Sequence, residues 1–191
     1  HVFRPTHANT SWDAAKFEIC AHRWVHVGEP DYGVAVANDS TYGHDITRLT
    51  ADSGGASPGT APSGTSGTVV RLSLLRAPRY PDPEADQGPH RLAVSVRPGA
   101  TIGDAVEEGY RRNLAPRTVP GRVAAVAPLV TVDHPGVIVE AVKLAEDGSG
   151  DVVVRLYESR GTRAAATERV ESNGSIADIG LAAAYLAARW L

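Results

Sequence analysis

Residues 17–37 read FEICAHRWVHVGEPDYGVAVA, and the pattern within them decides the fold class. Phe17, Ile19, Ala21, Arg23, Val25 and Val27 alternate with Glu18, Cys20, His22, Trp24 and His26. Successive side chains on a strand point to opposite faces, so this period of two predicts one continuous β-strand over 17–27. Gly28-Glu29-Pro30-Asp31 is turn chemistry, and a second strand follows over 33–37. The next residues, 38–45, read NDSTYGHD and predict a polar, strand-ending turn.

Further along, residues 50–67 consist almost wholly of Thr, Ala, Asp, Ser, Gly and Pro. That composition predicts an exposed loop without a core of its own. A strand is expected over 68–76, a proline-punctuated acidic loop over 78–89, and a strand over 90–96. Thr101 and Asp104 fit a capping box, with Ile102, Ala105, Val106 and Tyr110 at helical spacing, which predicts a helix over 102–113. Residues 116–127 carry Pro116, Pro120 and Gly121 and read as a linker. Strands are then expected over 129–132, 137–144, 152–157 and 163–170, separated by turn-rich segments. The alanine-rich tail, 175–191, opens on a cap-like Ser175/Asp178 pair and is expected to be helical by propensity. The sum is an all-β, mainly antiparallel chain. It has a β-sandwich region with one short helix over 1–117 and a smaller C-terminal β-domain over 118–191.

Composition removes several functions. Nineteen basic against 22 acidic residues, a net charge of −3, leave no electrostatic footprint for nucleic acid. No apolar run approaches the ~20 residues of a membrane span. The single cysteine, Cys20, cannot form an internal disulfide or a multi-thiolate zinc site. No basic stretch leads into an apolar one at the amino terminus, so no secretory leader is expected. Methionine is absent and the chain opens on His1, which suggests a piece of a larger protein. Lys16 and Lys143 are the only lysines among the basic residues, a bias expected of a high-GC bacterial genome.

Two loops concentrate groups that suit sugar recognition, which needs planar polar side chains for hydroxyls and an aromatic face for the ring. One is 38–45 with Asn38, Asp39, Tyr42, His44 and Asp45, and the other is 80–90 with Asp82, Glu84, Asp86 and Gln87. Turns favour many of the same residues for backbone reasons alone. Glu84 with Asp86, or Asp39 with Asp45, would be the carboxylate pairs for glycoside hydrolysis, but no sequence-defined pocket joins either pair. Cys20, His22 and His26 share the predicted strand face and raise a metal site, against which a histidine packed beside Trp24 is the simpler reading. Asn9-Thr10-Ser11, Asn38-Asp39-Ser40 and Asn173-Gly174-Ser175 are formal glycosylation sequons, taken as coincidental without a leader.

Three long runs resemble one family. RPTHANTSWDAAKFEICAHRWVHVGEPDYGVAVANDSTYGHD (4–45) and RLSLLRAPRYPDPEADQGPH (71–90) are similar to the C-terminal region of glycoside hydrolase family 38 α-mannosidases, nearest the bacterial and cytosolic branch. VIVEAVKLAEDGSGDVVVRLYESRG (137–161) resembles the final β-domain of the same branch. The resemblance implies that 1–117 is part of the C-terminal β-sandwich and 118–191 the small terminal β-sandwich domain. Family members hydrolyse terminal α-mannosides with retention, using an aspartate nucleophile, an acid/base carboxylate and zinc. Those groups lie in an N-terminal barrel and the helical bundle after it, and none of their motifs has a match here. No catalytic or metal residue is therefore carried over. Zinc is expected only in the N-terminal catalytic domain.

The implied partners are that barrel and helical domain of the same polypeptide and an α-mannoside substrate, in the cytoplasm. Homo-oligomerisation stays open, and neither nucleic acid nor membrane is expected. By the resemblance Asn38, Asp39, Tyr42, Gly43 and Asp45 are first candidates for contacts at the edge of the substrate cleft, and Asp86, Gln87 and His90 second. Three features depart from the family pattern: the long 50–67 segment, the alanine-rich tail, and His26 where aspartate is more usual. The alternative reading is a free-standing carbohydrate-binding or protein-interaction module.

Overall fold

In the computed structural model the described residues are 1–6, 9–16, 18–49, 67–118, 120–121, 127–172 and 175–182. They fall into two units, Phe3–Ala115 and His1–Val2 with Pro116–Leu191. The first unit runs α1 (Ser11–Ala15), β1 (Glu18–Cys20), β2 (Trp24–Gly28), β3 (Gly33–Asn38), β4 (Gly43–Leu49), β5 (Gly67–Leu72), β6 (Val94–Pro98) and α2 (Ile102–Asn113). The second holds β7 (Val130–Val132), β8 (Val137–Leu144), β9 (Val152–Glu158), β10 (Ala165–Ser172) and β11 (Ser175–Ala182).

In the first unit β1-β4-β5 and β2-β3-β6 form two antiparallel sheets of three strands. The expected single strand over 17–27 is broken, because its two halves, β1 and β2, belong to different sheets. The corner is Arg23, whose φ of 75° places an ordinary side chain in the left-handed region. Two contacts hold it there. The Arg23 guanidinium lies 4.8 Å from the centre of the Tyr110 ring, and the Arg23 carbonyl accepts the Asn38 N–H at 3.0 Å. Alternation does not survive such a corner, so Cys20, His22 and His26 do not share a strand face.

Helix α2 forms where the capping box predicted it. Thr101 Oγ1 accepts the Asp104 N–H, and the Asp104 carboxylate accepts the Thr101 N–H at 2.8 Å. Asp104 also takes Arg97 of β6 at 2.6 Å, tying the helix start to the sheet. The helix lies on β2 and β3 through small buried residues, Ala35, Ala100 and Ala105, with Trp24 packed against them. Small side chains permit this close approach. At the helix end Asn113 Nδ2 donates to the Asn38 carbonyl at 2.9 Å and the Gly109 carbonyl at 2.8 Å.

Other boundaries move. Gly43, His44 and Asp45 belong to β4 rather than to a turn, which shortens the turn after β3 to 39–42. The strand expected over 68–76 ends at Leu72, and that expected over 90–96 sits at Val94–Pro98. A second helix, α1, was not expected. Its capping box pairs Asp13 with Thr10, a residue of the run read as a sequon.

In the second unit β11-β10-β7 form one antiparallel sheet and β8-β9 another, the latter with a register shift at Glu140. The tail expected as helix is strand over Ser175–Ala182, in register with β10 from Ala165↔Ala182 to Ser172↔Ser175. Pairing along the whole length of β10 overrides the helical preference of alanine. The rest of the tail, 183–191, and the 50–66 stretch lie outside the described residues. The architecture is all-β in class and mainly antiparallel, as expected. No helix among the described residues is long and apolar enough to cross a membrane.

Candidate functional site

A concavity of about 550 Å³ opens on the β1-β4-β5 sheet of the first unit. Three segments build it: β1 with Glu18, Ile19 and Cys20, the turn into β4 with Tyr42 and Gly43, and the extension after β5 with Ser73 to Arg76. Asp86 closes one side. The backbone fixes the walls. Cys20 pairs with Gly43 in the sheet, the Tyr42 carbonyl accepts the Ala21 N–H at 2.8 Å, and the Gly43 carbonyl accepts the Ser73 N–H at 2.9 Å. His44, fully buried, adds its Nδ1–H to the Tyr42 carbonyl at 3.1 Å.

Glu18 is one of the residues that line the concavity. Its Oε1 accepts the Ser73 hydroxyl at 2.8 Å, and its Oε2 lies 3.9 Å from Arg76 Nη2. Glycine at 43 leaves room for that carboxylate: a Cβ there would stand 2.6 Å from Glu18 Oε1, and the carboxylate would have to shift. Tyr42 is 46% exposed and meets His22 edge-on with ring centres 4.8 Å apart. Leu74 and Leu75 add exposed apolar surface. Asp86 sits at φ 59° and its Oδ2 accepts the Ala77 N–H at 3.0 Å, which pins its loop against the extension after β5. The concavity thus combines the Tyr42 ring and the apolar Leu74 and Leu75 with the fixed polar groups of Glu18 and Ser73.

Of the residues singled out from sequence, Tyr42, Gly43 and Asp86 come together here. The others lie elsewhere. Asn38 is 1% exposed, and its side-chain amide has no hydrogen-bond partner among the described residues. Asp39 accepts the Ala93 N–H at 3.1 Å and the Ser40 hydroxyl at 2.8 Å. These two donors, the Ala93 amide first, hold its carboxyl below the ordinary aspartate value. Asp45 is shared between Thr47 at 2.7 Å and Arg71 at 2.9 Å. Gln87 donates to the Pro83 carbonyl, and His90 Nε2 to that of Asp86.

Neither candidate carboxylate pair is assembled in the concavity. Among the described residues no group of three or more His, Cys, Asp and Glu side chains is placed to hold a metal. Glu18, Ser73 and Arg76 escaped the sequence reading because each sits in or beside a strand, where nothing local marks a polar residue as functional.

Two family models match the chain. The glycosyl hydrolases family 38 C-terminal domain covers residues 1–84, and the glycosyl hydrolases family 38 C-terminal beta sandwich domain covers 136–180. Alpha-mannosidase 2C1 of Homo sapiens is 35% identical over 170 residues, 85% of this chain and 14% of its own length. Alpha-mannosidase G of Dictyostelium discoideum is 34% identical over 170 residues, 84% of this chain and 14% of that protein. Alpha-mannosidase of Saccharomyces cerevisiae is 32% identical over 178 residues, 83% and 14% respectively. The chain thus spans about a seventh of the length of the relatives it matches.

Proposed function

The chain belongs to glycosyl hydrolase family 38 as part of its C-terminal region, and we propose that it serves there as a non-catalytic part of a retaining α-mannosidase. In this reading it completes the enzyme's fold and the edge of the site for terminal α-mannosides. The sandwich portion extends over 1–117 and the small terminal domain over 118–191. Zinc, nucleophile and acid/base belong to an N-terminal catalytic barrel, with a helical domain after it, in the same polypeptide. The described residues do not fit a zinc site, so no chemical step is assigned to a metal here.

One observation carries the assignment. Tyr42 from the turn after β3, Gly43 from the start of β4 and Asp86 from the 80–90 loop, distant in sequence, line a single concavity. Its residues can bind and orient a sugar, offering Tyr42 to the C–H face of a ring and Glu18 to hydroxyls. Hydrolysis is not assigned to them: a glycosidase needs two carboxylates free to flank the bond, whereas Glu18 is engaged by Ser73 and Asp86 by the Ala77 N–H. A bacterial source accords with the scarcity of lysine, and a cytoplasmic setting with the branch that the sequence resembles.

The test compares this chain alone with a longer polypeptide that carries it behind a family 38 barrel. The longer protein is expected to turn over an aryl α-mannoside and lose that activity to a chelator. The isolated chain is expected to do neither and to hold no stoichiometric zinc. Chelator-sensitive turnover by the isolated chain would overturn the proposal.

A further inference from the structure

We infer that Glu18 and Arg76 together bind one hydroxyl of an α-mannosyl glycan, with Ser73 as the group that positions Glu18; this rests on the mannosidase reading above. The inference begins with the geometry of the pair. Glu18 Oε2 and Arg76 Nη2 are 3.9 Å apart, too far for a good hydrogen bond to each other. An oxygen about 2.8 Å from both atoms forms a triangle with roughly a right angle at that oxygen, which a hydroxyl accommodates. It donates to the carboxylate and accepts from the guanidinium. A sugar hydroxyl is a neutral group that does both at once, whereas an ammonium only donates and a phosphate or carboxylate would be repelled by Glu18.

The carboxylate is prepared for this role. Ser73 occupies Oε1 at 2.8 Å and leaves Oε2 turned toward Arg76. Position 43 is a glycine whose missing Cβ gives Glu18 its space. Two separate segments therefore converge on one side chain that still keeps a third of its surface open. Tyr42 and Leu74 line the same concavity and offer apolar surface to the ring that carries the hydroxyl. Arg76, with 84% of its side chain exposed, contributes little to packing, and an ion pair this exposed adds little to stability.

The experiment uses the longer polypeptide, wild type and with Glu18→Gln, Arg76→Gln and both, assayed on α-mannobiose. Each single substitution is expected to raise KM by about 10-fold with kcat and Tm retained, as loss of a charged hydrogen bond to a hydroxyl implies. The double variant is expected to be little worse than either single, because both remove contacts to the same hydroxyl. Unchanged KM in both singles overturns the inference and leaves the mannosidase reading standing. So does a loss confined to kcat, or one that tracks a fall in Tm in Glu18→Gln while the exposed Arg76→Gln behaves as wild type. A wild-type protein that cleaves neither α-mannobiose nor an aryl α-mannoside removes the mannosidase reading and the inference with it.

Discussion

Gly43 and Glu18 compete for one volume: a methyl group on residue 43 would lie 2.6 Å from Glu18 Oε1 and 3.0 Å from the Ser73 Cβ. Gly43→Ala therefore sets two effects against each other. Alanine is favoured over glycine within a strand by roughly 0.5–1 kcal/mol, and overpacking costs about 1–3 kcal/mol. The Glu18 carboxylate can swing aside, so the net loss is expected to be near ~1 kcal/mol. The larger consequence falls on binding, because the displaced carboxylate no longer faces Arg76. Denaturant titration and α-mannobiose KM, measured on the same variant, check both halves. A wild-type KM would sink the link between glycine and carboxylate.

Tyr42 and Asp45 separate a binding role from a structural one. Tyr42 lines the concavity, whereas Asp45 spends its oxygens on Thr47 and Arg71. Tyr42→Ala is expected to lower kcat/KM of the longer polypeptide by about 2- to 10-fold, the worth of one aromatic contact. Asp45→Asn breaks a partly exposed ion pair of at most ~1 kcal/mol and is expected to leave kinetics alone. The reverse order of effects would place the sugar contact on the other side of β4.

Gly109 on α2 tests the helix–sheet contact. Glycine to alanine in a helix interior ordinarily stabilises by about 1 kcal/mol. Here the added Cβ would lie 2.7 Å from Trp24 Cδ1 and 3.3 Å from the Arg23 Cβ. A part-buried indole ring yields less readily than a flexible chain end, so overpacking of about 1–3 kcal/mol is expected to win. Gly109→Ala should lower Tm, and a raised Tm would mean that the helix can lift off the sheet at little cost.

Asp39 predicts how the first unit responds to acid. Its carboxyl titrates below the ordinary aspartate value because the Ala93 amide and the Ser40 hydroxyl donate to the charged form. A depressed folded value means the contribution is complete above the ordinary value and is lost as pH falls through the lower folded one. Thermal melts between about pH 6 and about pH 2 are expected to show a shallower acid limb in Asp39→Asn than in wild type. Parallel limbs would show that the turn after β3 holds without this charge.

The legible parts of this fold are those in which local pattern and tertiary environment agree. Helix α2 was readable from Thr101 and Asp104, because the capping box is a local device. Strands β8 and β9 were readable from apolar runs bounded by Asp133-His134-Pro135-Gly136 and Glu146-Asp147-Gly148. The corner at Arg23 was not, since its cause is a ring and an amide supplied by Tyr110 and Asn38, both remote in sequence. Strand β11 was missed through alanine propensity, although Asn173-Gly174 between the paired Ser172 and Ser175 is the dipeptide that two-residue hairpins favour. In the candidate site, Tyr42 and Asp86 could be named from residue type, and Gly43 only through the family resemblance. Glu18 could not, because its importance comes from a space left by Gly43 and a hydroxyl from Ser73, neither of which is adjacent to it.

The corner at Arg23 also orders events in time. Only residues 29–32 separate Gly28 from Gly33, so the β2–β3 hairpin closes a very short loop. Residues 21–42 separate Cys20 from Gly43, and that longer closure already contains the whole hairpin. Loop-closure entropy favours the local pairing first. The wall that seats Glu18 against Gly43 then joins late, onto a hairpin already in place. Pulse-labelled hydrogen exchange during refolding should find the amides of β2 and β3 protected before those of β1, making this wall of the concavity the last of these strand pairings to mature.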